Sequence, residues 1–320
     1  MQYVFGSAMK VLLTGASGFL GSHIAEALAS KPDVAVVASL RSAVSIPNVQ
    51  IVRVLDLSAM TDWSAALYGT QVVIHAAARA HVNKDDGVDP LAKYRRVNVD
   101  GTLNLARQAA EAGVSRFLFV SSIGVNGNIN STPFTEDDEP NPAELYAKSK
   151  WEAEQGLWEI QRETGIEVVI IRPPLVYGPN APGNFGSLMK RVAQGAPLPL
   201  GAIHNRRSLV AVDNLVDLII TCIDHPAAAN QVFLAGDGQD LSTTELLQGV
   251  AKAMGKPSRL IPVPSSWLMF GAMLLGKRAV AQKLLGSLQV DISKARNLLG
   301  WKPPISVEEG LHRCFESQEK

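Results

Sequence analysis

Tyr146 and Lys150 are two side chains whose types and spacing can do chemistry. Because they are four residues apart, they share one face of a predicted helix. The phenol of tyrosine has an ordinary pKa of about 10, which is too high for proton transfer at neutral pH. A lysine ammonium nearby favours the phenolate, so we expect it to lower the pKa of Tyr146. A phenol tuned in this way can give or take the proton of an alcohol while a hydride moves to or from the carbon.

A glycine loop near the amino terminus predicts a dinucleotide site. Its glycines are spaced Gly-x-x-Gly-x-x-Gly between an apolar run and a segment with helical spacing. The first permits a tight turn, the second lets the backbone approach a pyrophosphate, and the third allows close packing of helix on strand. The N–H groups at the start of that helix then face the phosphates. The predicted cofactor contacts of this loop are Gly15, Ser17, Gly18, Phe19, Leu20 and Gly21.

The second apolar run bears on which dinucleotide is bound. An enzyme that uses NAD usually has Asp or Glu about 20 residues after the loop, where it binds the ribose 2′-hydroxyl. Here the run ends in Ser39, Leu40, Arg41 and Ser42, without a carboxylate. Arg41 can meet the 2′-phosphate of NADP instead, and a solvated arginine at a strand end is the alternative interpretation. The sequence therefore favours NADP(H) and leaves NAD(H) open. In either case an oxidised nicotinamide ring adds positive charge to that of Lys150 beside the phenol.

These groups are carried by a regular alternation of strands and helices. Continuous β-branched runs that alternate with helices indicate a parallel sheet covered on both faces. We therefore predict an α/β fold with a Rossmann-type doubly wound parallel sheet. The predicted strands are 10–14, 33–39, 51–55, 71–76, 116–121 and 168–172, and the clearest helices are 22–30, 97–113 and 147–165.

The alternation stops after Arg172, where prolines become frequent. The segment 208–224 is typical of a strand followed by a helix, 231–234 of another strand and 241–254 of a helix. We predict a smaller mixed α/β lobe. The predicted domains are a dinucleotide-binding Rossmann domain, 1–175 plus about 207–236, and this smaller lobe, about 176–206 plus 237–320.

Composition limits the classes of partner. The chain has 320 residues, of which 47% are hydrophobic, and its 30 Lys and Arg balance 30 Asp and Glu. A disordered chain is excluded by the apolar content, and a nucleic-acid partner is not expected without a basic domain. Cys222 and Cys314 are too few for a disulfide framework or a cysteine metal cluster, and we expect no metal. Since the amino terminus resembles no signal peptide, we expect a cytoplasmic protein.

A Tyr-x-x-x-Lys match alone is common, but here it comes after the glycine loop and after the fifth predicted strand. Together these motifs resemble the extended short-chain dehydrogenase/reductase family, of the NAD-dependent epimerase/dehydratase type. The resemblance implies that Ser122, from the motif Ser122-Ile-Gly-Val-Asn-Gly127, hydrogen-bonds the reacting oxygen beside Tyr146 and Lys150. Other roles are implied in the same way. Asp56 and Leu57 contact the adenine, Ala76 and Ala77 lie under the cofactor, and Asn98 ties the backbone of the site. Tyr146 and Lys150 are implied to contact the cofactor as well.

The second half of the chain resembles nucleotide-sugar enzymes of the family. The matching motifs are 172–179, 205–208, 213–217 and 299–304. The closest resemblance is to the bacterial UDP-hexose 4-epimerases and UDP-4-keto-sugar 4-reductases of O-antigen and capsule synthesis. It implies a UDP-activated hexose or 4-keto-hexose as substrate, a nucleotide-sugar-binding role for the smaller lobe, and Arg207 and Asn184 at the diphosphate. A guanidinium fits phosphate oxygens well, although a solvated loop charge also explains Arg207.

Two departures bear on the reaction. The epimerases commonly have Arg-Tyr-Phe-Asn where this chain has Arg172-Pro-Pro-Leu175, and Thr-Val-Tyr-Gly where it has Gly124-Val-Asn-Gly127. With Arg41 in place of a carboxylate, they favour reduction of a UDP-4-keto-(6-deoxy-N-acetyl)hexosamine. The alternative is 4-epimerisation of UDP-glucose or UDP-N-acetylglucosamine. Two further alternatives remain. One is a non-catalytic dinucleotide-binding sensor or scaffold, and the other is a steroid or flavonoid-type reductase.

Two surface features remain. The apolar segment 267–276, from Trp267 to Gly276, is followed by Lys277 and Arg278. It is far shorter than the ~20 residues that span a bilayer, so it is either a peripheral membrane contact or a helix of the lobe or of an oligomer. Family habit implies a homodimer through helices 97–113 and 147–165.

Overall fold

The computed structural model of the protein describes residues 8–41, 45–80 and 89–316, so Ser42 lies outside the described residues. Within these residues, nine strands form from the apolar runs of the sequence, most of them within a few residues of the predicted bounds. The strands are β1 Met9–Thr14, β2 Val34–Leu40, β3 Val49–Arg53, β4 Val72–His75, β5 Arg116–Val120, β6 Glu167–Arg172, β7 Leu175–Tyr177, β8 Leu209–Ala211 and β9 Gln231–Leu234.

Seven strands make the central sheet, in the order β3-β2-β1-β4-β5-β6-β9. The pairings of β1 with β2 and β4, of β2 with β3, and of β5 with β4 and β6 are parallel. The strand order reverses between β1 and β4. In doubly wound sheets, ligands bind outside the carboxyl ends of the strands at such a reversal. The predicted Rossmann-type fold is therefore confirmed.

Helices connect these strands. The long predicted helix 97–113 is interrupted at its start, since Arg96–Gly101 forms a π-helical segment that runs directly into α4. Such segments are rare and often lie at functional sites. The helices are α1 Phe19–Ala29, α2 Ser64–Leu67, α3 Pro90–Arg95, α4 Thr102–Glu111, α5 Leu145–Thr164, α6 Gly183–Ala193, α7 Val212–Asp224, α8 Thr243–Ala253, α9 Ser265–Leu274, α10 Arg278–Leu285, α11 Ser293–Leu299 and α12 Val307–Glu316.

The chain divides into two compact units. One contains the chain up to Val125, with Pro140–Arg172 and Leu218–Phe233, and the other contains Asn126–Glu139, Pro173–Asp217 and the chain from Leu234 onward. In the first unit, buried side chains of the sheet pack with those of α4 and α5, including Phe117, Leu105 and Leu157. The domain bounds given above stay a prediction, because compactness does not show which residues bind a nucleotide or a sugar.

The second unit includes the two-stranded parallel sheet of β7 and β8. Within this unit, the carboxylate of Asp237 accepts hydrogen bonds from two other parts of the chain. Tyr177 donates its hydroxyl proton to Asp237 Oδ2 (2.8 Å), and Asn214 Nδ2 donates to Oδ1 (2.7 Å). Trp301 Nε1 donates to Asp217 Oδ2 (2.8 Å). Burial raises the pKa of Asp237. Residues of the nucleotide-sugar motifs thus have structural roles in this unit.

Candidate active site

The glycine loop lies between β1 and α1, in the first unit. Gly15 has a positive φ of 78°, which favours glycine. A Cβ atom at Gly15 would lie 2.7 Å from the backbone nitrogen of Ala77, and one at Gly21 would lie 2.1 Å from the carbonyl oxygen of Gly15. At these two positions the backbone therefore leaves no room for any residue other than glycine. The turn holds the start of α1 against the end of β1 and the residues after β4.

The start of α1 fits the phosphates of a dinucleotide. Helix α1 begins after Gly18, which as a glycine has no side chain to cap the N–H groups at this end. The first N–H groups of a helix have no partner within the helix, and the helix dipole favours an anion there. Ser17 and Gly18 are exposed, whereas Phe19 and Leu20 are partly buried. This cradle is where the predicted pyrophosphate would bind.

The carboxyl end of β4 is fixed by a buried histidine. Thr14 Oγ1 lies 2.6 Å from His75 Nδ1, and His75 Nε2 lies 2.9 Å from Thr102 Oγ1. Thr14 Oγ1 also accepts a hydrogen bond from the backbone N–H of Ala77 (3.3 Å). Burial lowers the pKa of His75 to about 3, so the imidazole is neutral at physiological pH. The chain of bonds positions Ala76 and Ala77 beside the glycine loop.

The ends of β2 and β3 carry the other predicted cofactor contacts. Arg41 directly follows β2 and is exposed. Asp56 is also exposed and pairs with Arg96 Nη2 (2.8 Å), which lowers the pKa of Asp56. Leu57 is partly buried, and its side chain lies where a Cβ atom at Gly101 would clash at 2.8 Å. In the described part of the chain, β2 has no carboxylate at its end.

Lys150 is held in place by contacts with the carboxyl end of β5. Its ammonium donates to the carbonyl oxygen of Val120 (2.7 Å) and lies 4.3 Å from the centre of the Phe119 ring. Its Nζ atom lies 6.0 Å from the centre of the Tyr146 ring. Helix α5 thus carries both residues on one face, as their spacing predicts, and Lys150 ties that helix to the carboxyl end of β5.

The pKa values of both residues of this pair are shifted from their ordinary values. Burial raises the pKa of Tyr146 to about 12 and lowers that of Lys150 to about 7. The lowering that is expected from Lys150 together with the nicotinamide ring stays a prediction, because these values describe the polypeptide without a cofactor. Desolvation disfavours both the phenolate and the ammonium, and it is the largest cause of both shifts.

Ser122 is the second residue after β5 and is partly buried. Its Oγ atom accepts a hydrogen bond from the backbone N–H of Gly124 (3.1 Å). A Cβ atom at Gly124 would lie 3.1 Å from Cβ of Ala147 and 3.4 Å from Oγ of Ser122. Because Ala147 follows Tyr146, the loop that carries Ser122 packs on the first turn of α5. Ser122, Tyr146 and Lys150 are therefore assembled at one end of β5.

Asn98 ties three parts of this region together. It lies in the π-helical segment and is buried. Its side chain accepts from the backbone N–H of Arg79 (2.8 Å) and donates to the carbonyl oxygen of Arg79 and to Ser149 Oγ. Ser149 Oγ in turn donates to the carbonyl oxygen of Tyr146 (2.7 Å). This is the backbone tie that the family resemblance implies.

A buried ion pair behind the site was not predicted from the sequence. Glu154 and Arg172 are 0% and 3% exposed, and Arg172 Nη2 lies 2.5 Å from Glu154 Oε2. Arg172 Nε donates to Glu154 Oε1 (3.0 Å), and Ser121 Oγ donates to the same oxygen (2.5 Å). Glu154 is four residues after Lys150, so it continues the same face of α5. That spacing shows the shared face, but it shows neither the burial of Glu154 nor its pairing with Arg172.

The predicted substrate contacts belong to the second unit. Arg207 donates from Nη1 to the carbonyl oxygens of Lys283 (2.5 Å) and Gly286 (3.1 Å), near the carboxyl end of α10. A cation at a helix carboxyl end is favourable, so Arg207 has a structural role. Asn184 lies in α6, and its side chain lies outside the described residues. A role for either residue at a diphosphate stays a prediction.

Among the described residues, no group of His, Cys, Asp or Glu side chains has a metal-binding arrangement. The residues assembled here suit acid–base chemistry by a phenol next to a dinucleotide cradle.

Comparisons with known proteins agree with this chemistry. The model of the NAD dependent epimerase/dehydratase family matches residues 11–236. A Vibrio cholerae protein named UDP-glucose 4-epimerase is 48% identical over 311 residues, which are 96% of this chain and 95% of that protein. An Escherichia coli O157:H7 protein named N-acetyl-alpha-D-glucosaminyl-diphospho-ditrans,octacis-undecaprenol 4-epimerase is 31% identical and covers 96% of this chain and 94% of its own length.

A solved structure supports the fold. The crystal structure of UDP-glucuronic acid 4-epimerase from Bacillus cereus in complex with NAD matches with a TM-score of 0.78 and 23% identity. The match covers 98% of this chain and 100% of that protein. The fold, the glycine loop and the family match agree with the resemblance inferred from the motifs. The chain belongs to the NAD-dependent epimerase/dehydratase family, which consists of enzymes of the extended short-chain dehydrogenase/reductase type.

Proposed function

We propose that this chain is a UDP-hexose 4-epimerase that works with a nicotinamide dinucleotide. The observation that carries the proposal is the 48% identity, over 96% of the chain, with the Vibrio cholerae protein named UDP-glucose 4-epimerase. The Escherichia coli O157:H7 relative is also named a 4-epimerase, and this name supports a reaction at C4 of the sugar. This reverses the preference for reduction that the sequence motifs gave and favours the alternative.

Tyr146 is proposed as the acid–base group of the reaction. When bound, the cofactor accepts a hydride from C4 and returns it, and its positive ring favours the phenolate of Tyr146. In the oxidising half, the phenolate oxygen takes the proton of the C4 hydroxyl while the C4–H electron pair leaves as hydride, which gives a 4-keto sugar. In the return half, hydride arrives on the opposite face of C4 and Tyr146 gives the proton back.

Ser122 and Lys150 assist Tyr146 in this proposal. Ser122 donates a hydrogen bond to the C4 oxygen, where negative charge changes during the reaction. Lys150 is already fixed by Val120 and Phe119, so its charge acts on the phenol at a fixed distance. Because the pKa of Lys150 is about 7, its charge decreases as pH rises through neutrality. The phenolate is supported best where Lys150 is protonated.

Arg41 gives a prediction about cofactor choice. NAD is the cofactor that the family name gives, and we propose that Arg41 adds affinity for the 2′-phosphate of NADP(H). A charge-assisted hydrogen bond contributes about 1.5–3 kcal/mol, so Arg41→Ala should weaken NADP(H) binding about 10–100-fold and NAD(H) binding little. Titration calorimetry with both cofactors measures this. Arg162→Ala is the control, because it removes an exposed arginine that is not a predicted cofactor contact. Arg162 lies near the carboxyl end of α5. Equal losses for the two cofactors would contradict the role of Arg41.

Reduction of a UDP-4-keto-hexose is the second candidate. It is favoured by Arg41 at the end of β2, where a carboxylate would be usual for NAD, and by Pro173, Pro174 and Leu175 in place of the epimerase motif. A reductase must exchange its reduced cofactor at each turnover, whereas an epimerase oxidises and re-reduces one sugar with the cofactor retained.

One incubation separates the two candidates. The protein is mixed with UDP-glucose, with UDP-N-acetylglucosamine and with a UDP-4-keto-6-deoxy sugar, each with and without NADPH, and the products are followed by NMR. Epimerisation predicts the C4 epimer of the first or second sugar without consumption of NADPH. A C4 alcohol formed only from the keto sugar, with one NADPH oxidised per product, would establish reduction instead.

The remaining parts of the proposal concern substrate contacts and context. We propose that Arg207 and Asn184 contact the diphosphate of the UDP-sugar, in addition to the structural role of Arg207. We also propose a homodimer through α4 and α5. Cys222 and Cys314 are buried free thiols, which suits the reducing cytoplasm that we propose as its location.

A further inference from the structure

Helix α9 exposes large apolar side chains to solvent. Trp267 is 75% exposed, Phe270 65% and Leu274 74%. The spacing of these three residues puts them on one face of the helix, which we call the α9 face. No residue of α9 is buried. An exposed apolar patch of this kind usually marks a site of interaction.

The sequence stretch that contains the α9 face carries charge of a single sign. Between Glu245 and Asp291 the sequence has no carboxylate side chain, although the whole chain is neutral. The exposed cations Lys277 and Arg278 directly follow α9. The other cations of this stretch are Lys252, which pairs with Glu308 (2.6 Å), and Lys256, Arg259 and Lys283. A partner for this region must therefore combine an apolar layer with negative charge.

We propose that the α9 face binds the surface of an anionic phospholipid bilayer. Aromatic side chains are favourable at the level of the headgroups, and each basic residue near an anionic surface adds about 1 kcal/mol. Helix α9 has ten residues and is about 15 Å long, which suits a helix lying in the interface. In the described part of the chain, no helix is long and apolar enough to cross a membrane.

The same charges argue against a second copy of this chain as the partner. A two-fold contact places the same patch of both copies together. Because the stretch between Glu245 and Asp291 has no carboxylate, such a contact would bring Lys277 and Arg278 near their own copies without a compensating acid from that stretch. An anionic bilayer satisfies both the apolar face and the cations. This inference does not rest on the proposed reaction.

Vesicle sedimentation with the full chain tests the proposal. We expect binding to vesicles of phosphatidylglycerol mixed with phosphatidylcholine and little binding to phosphatidylcholine alone. Trp267→Ser with Phe270→Ser should weaken binding by at least about tenfold. Lys277→Glu with Arg278→Glu should remove the preference for anionic vesicles. Binding should also weaken at high salt, because the charges are exposed.

The test also needs a matched control variant and a measurement of turnover. Met60→Ser with Tyr68→Ser removes apolar side chains that are 91% and 82% exposed in the first unit, and it should leave vesicle binding unchanged. Turnover of soluble substrate without vesicles should be the same in all these variants. Absence of vesicle binding, or equal binding by all variants, would overturn the proposal. Self-association that is lost with Trp267 and Phe270 would show instead that the face joins two copies.

Discussion

Replacing Tyr146 by phenylalanine is expected to reduce turnover about 10²–10⁴-fold. The substitution removes only the hydroxyl, which is the proposed proton donor and acceptor for the sugar oxygen. The ring contact with Tyr94, at 6.1 Å between ring centres, is kept. Dinucleotide binding should be unchanged, because the glycine loop and the start of α1 are untouched. Steady-state rates and cofactor titration measure the two quantities separately.

Tyr68→Phe is the control for that experiment. It makes the same chemical change at a tyrosine that is 82% exposed, and it should leave the rate unchanged. A Tyr146→Phe enzyme with a near-normal rate would exclude the phenol as the acid–base group. In that case another side chain near the carboxyl end of β5 would have to move the proton.

The second large effect is expected at Glu154. Replacing it by alanine leaves the buried guanidinium of Arg172 without its carboxylate, and breaking a buried pair in this way costs about 3–5 kcal/mol of stability. The free energy of unfolding in urea should fall by that amount. Activity at low temperature should also fall, because Glu154 holds Ser121 beside the proposed catalytic Ser122.

Glu152→Ala is a close control for this substitution. Glu152 lies on the same helix and pairs with Arg95 through two bonds of 2.7 and 2.6 Å. Both side chains are partly exposed, so loss of the pair should cost about 0–1 kcal/mol. Replacing Glu154 and Arg172 together by Leu and Met should recover much of the lost stability, because no guanidinium is then buried without its carboxylate. Equal losses for Glu152→Ala and Glu154→Ala would show that burial does not set the cost.

Much of the central sheet could be predicted because its strands are buried on both faces. Such strands have continuous apolar sequences, and their bounds stand out between glycines, prolines and polar helices. The loop at Gly15 and Gly21 was predictable for a related reason. Its geometry has no room for a side chain, so the sequence must keep glycine there. In both cases a local residue pattern is dictated by local packing.

The ion pair of Glu154 and Arg172 could not be predicted in the same way. Charged residues are almost always exposed, and only the meeting of α5 with β6 shows that these two are buried together. The raised pKa of Tyr146 in the polypeptide could not be predicted for a similar reason. The sequence shows the charge of Lys150 but not the desolvation of the phenol. The hydrogen bond from Arg207 to the carbonyl oxygen of Lys283 could not be predicted either, because the two residues are 76 positions apart in the sequence.

His75 makes this fold sensitive to acid. In the neutral form, its ring has one donor and one acceptor nitrogen for the hydroxyls of Thr14 and Thr102. The folded pKa is about 3, whereas the ordinary value is 6.5, so the unfolded chain takes up a proton in this interval that the folded site does not accept. The stability that the site contributes is complete above about pH 6.5 and is lost progressively towards pH 3. The isoelectric point near 7 gives no indication of this loss, which comes from one neutral side chain beneath the cofactor loop.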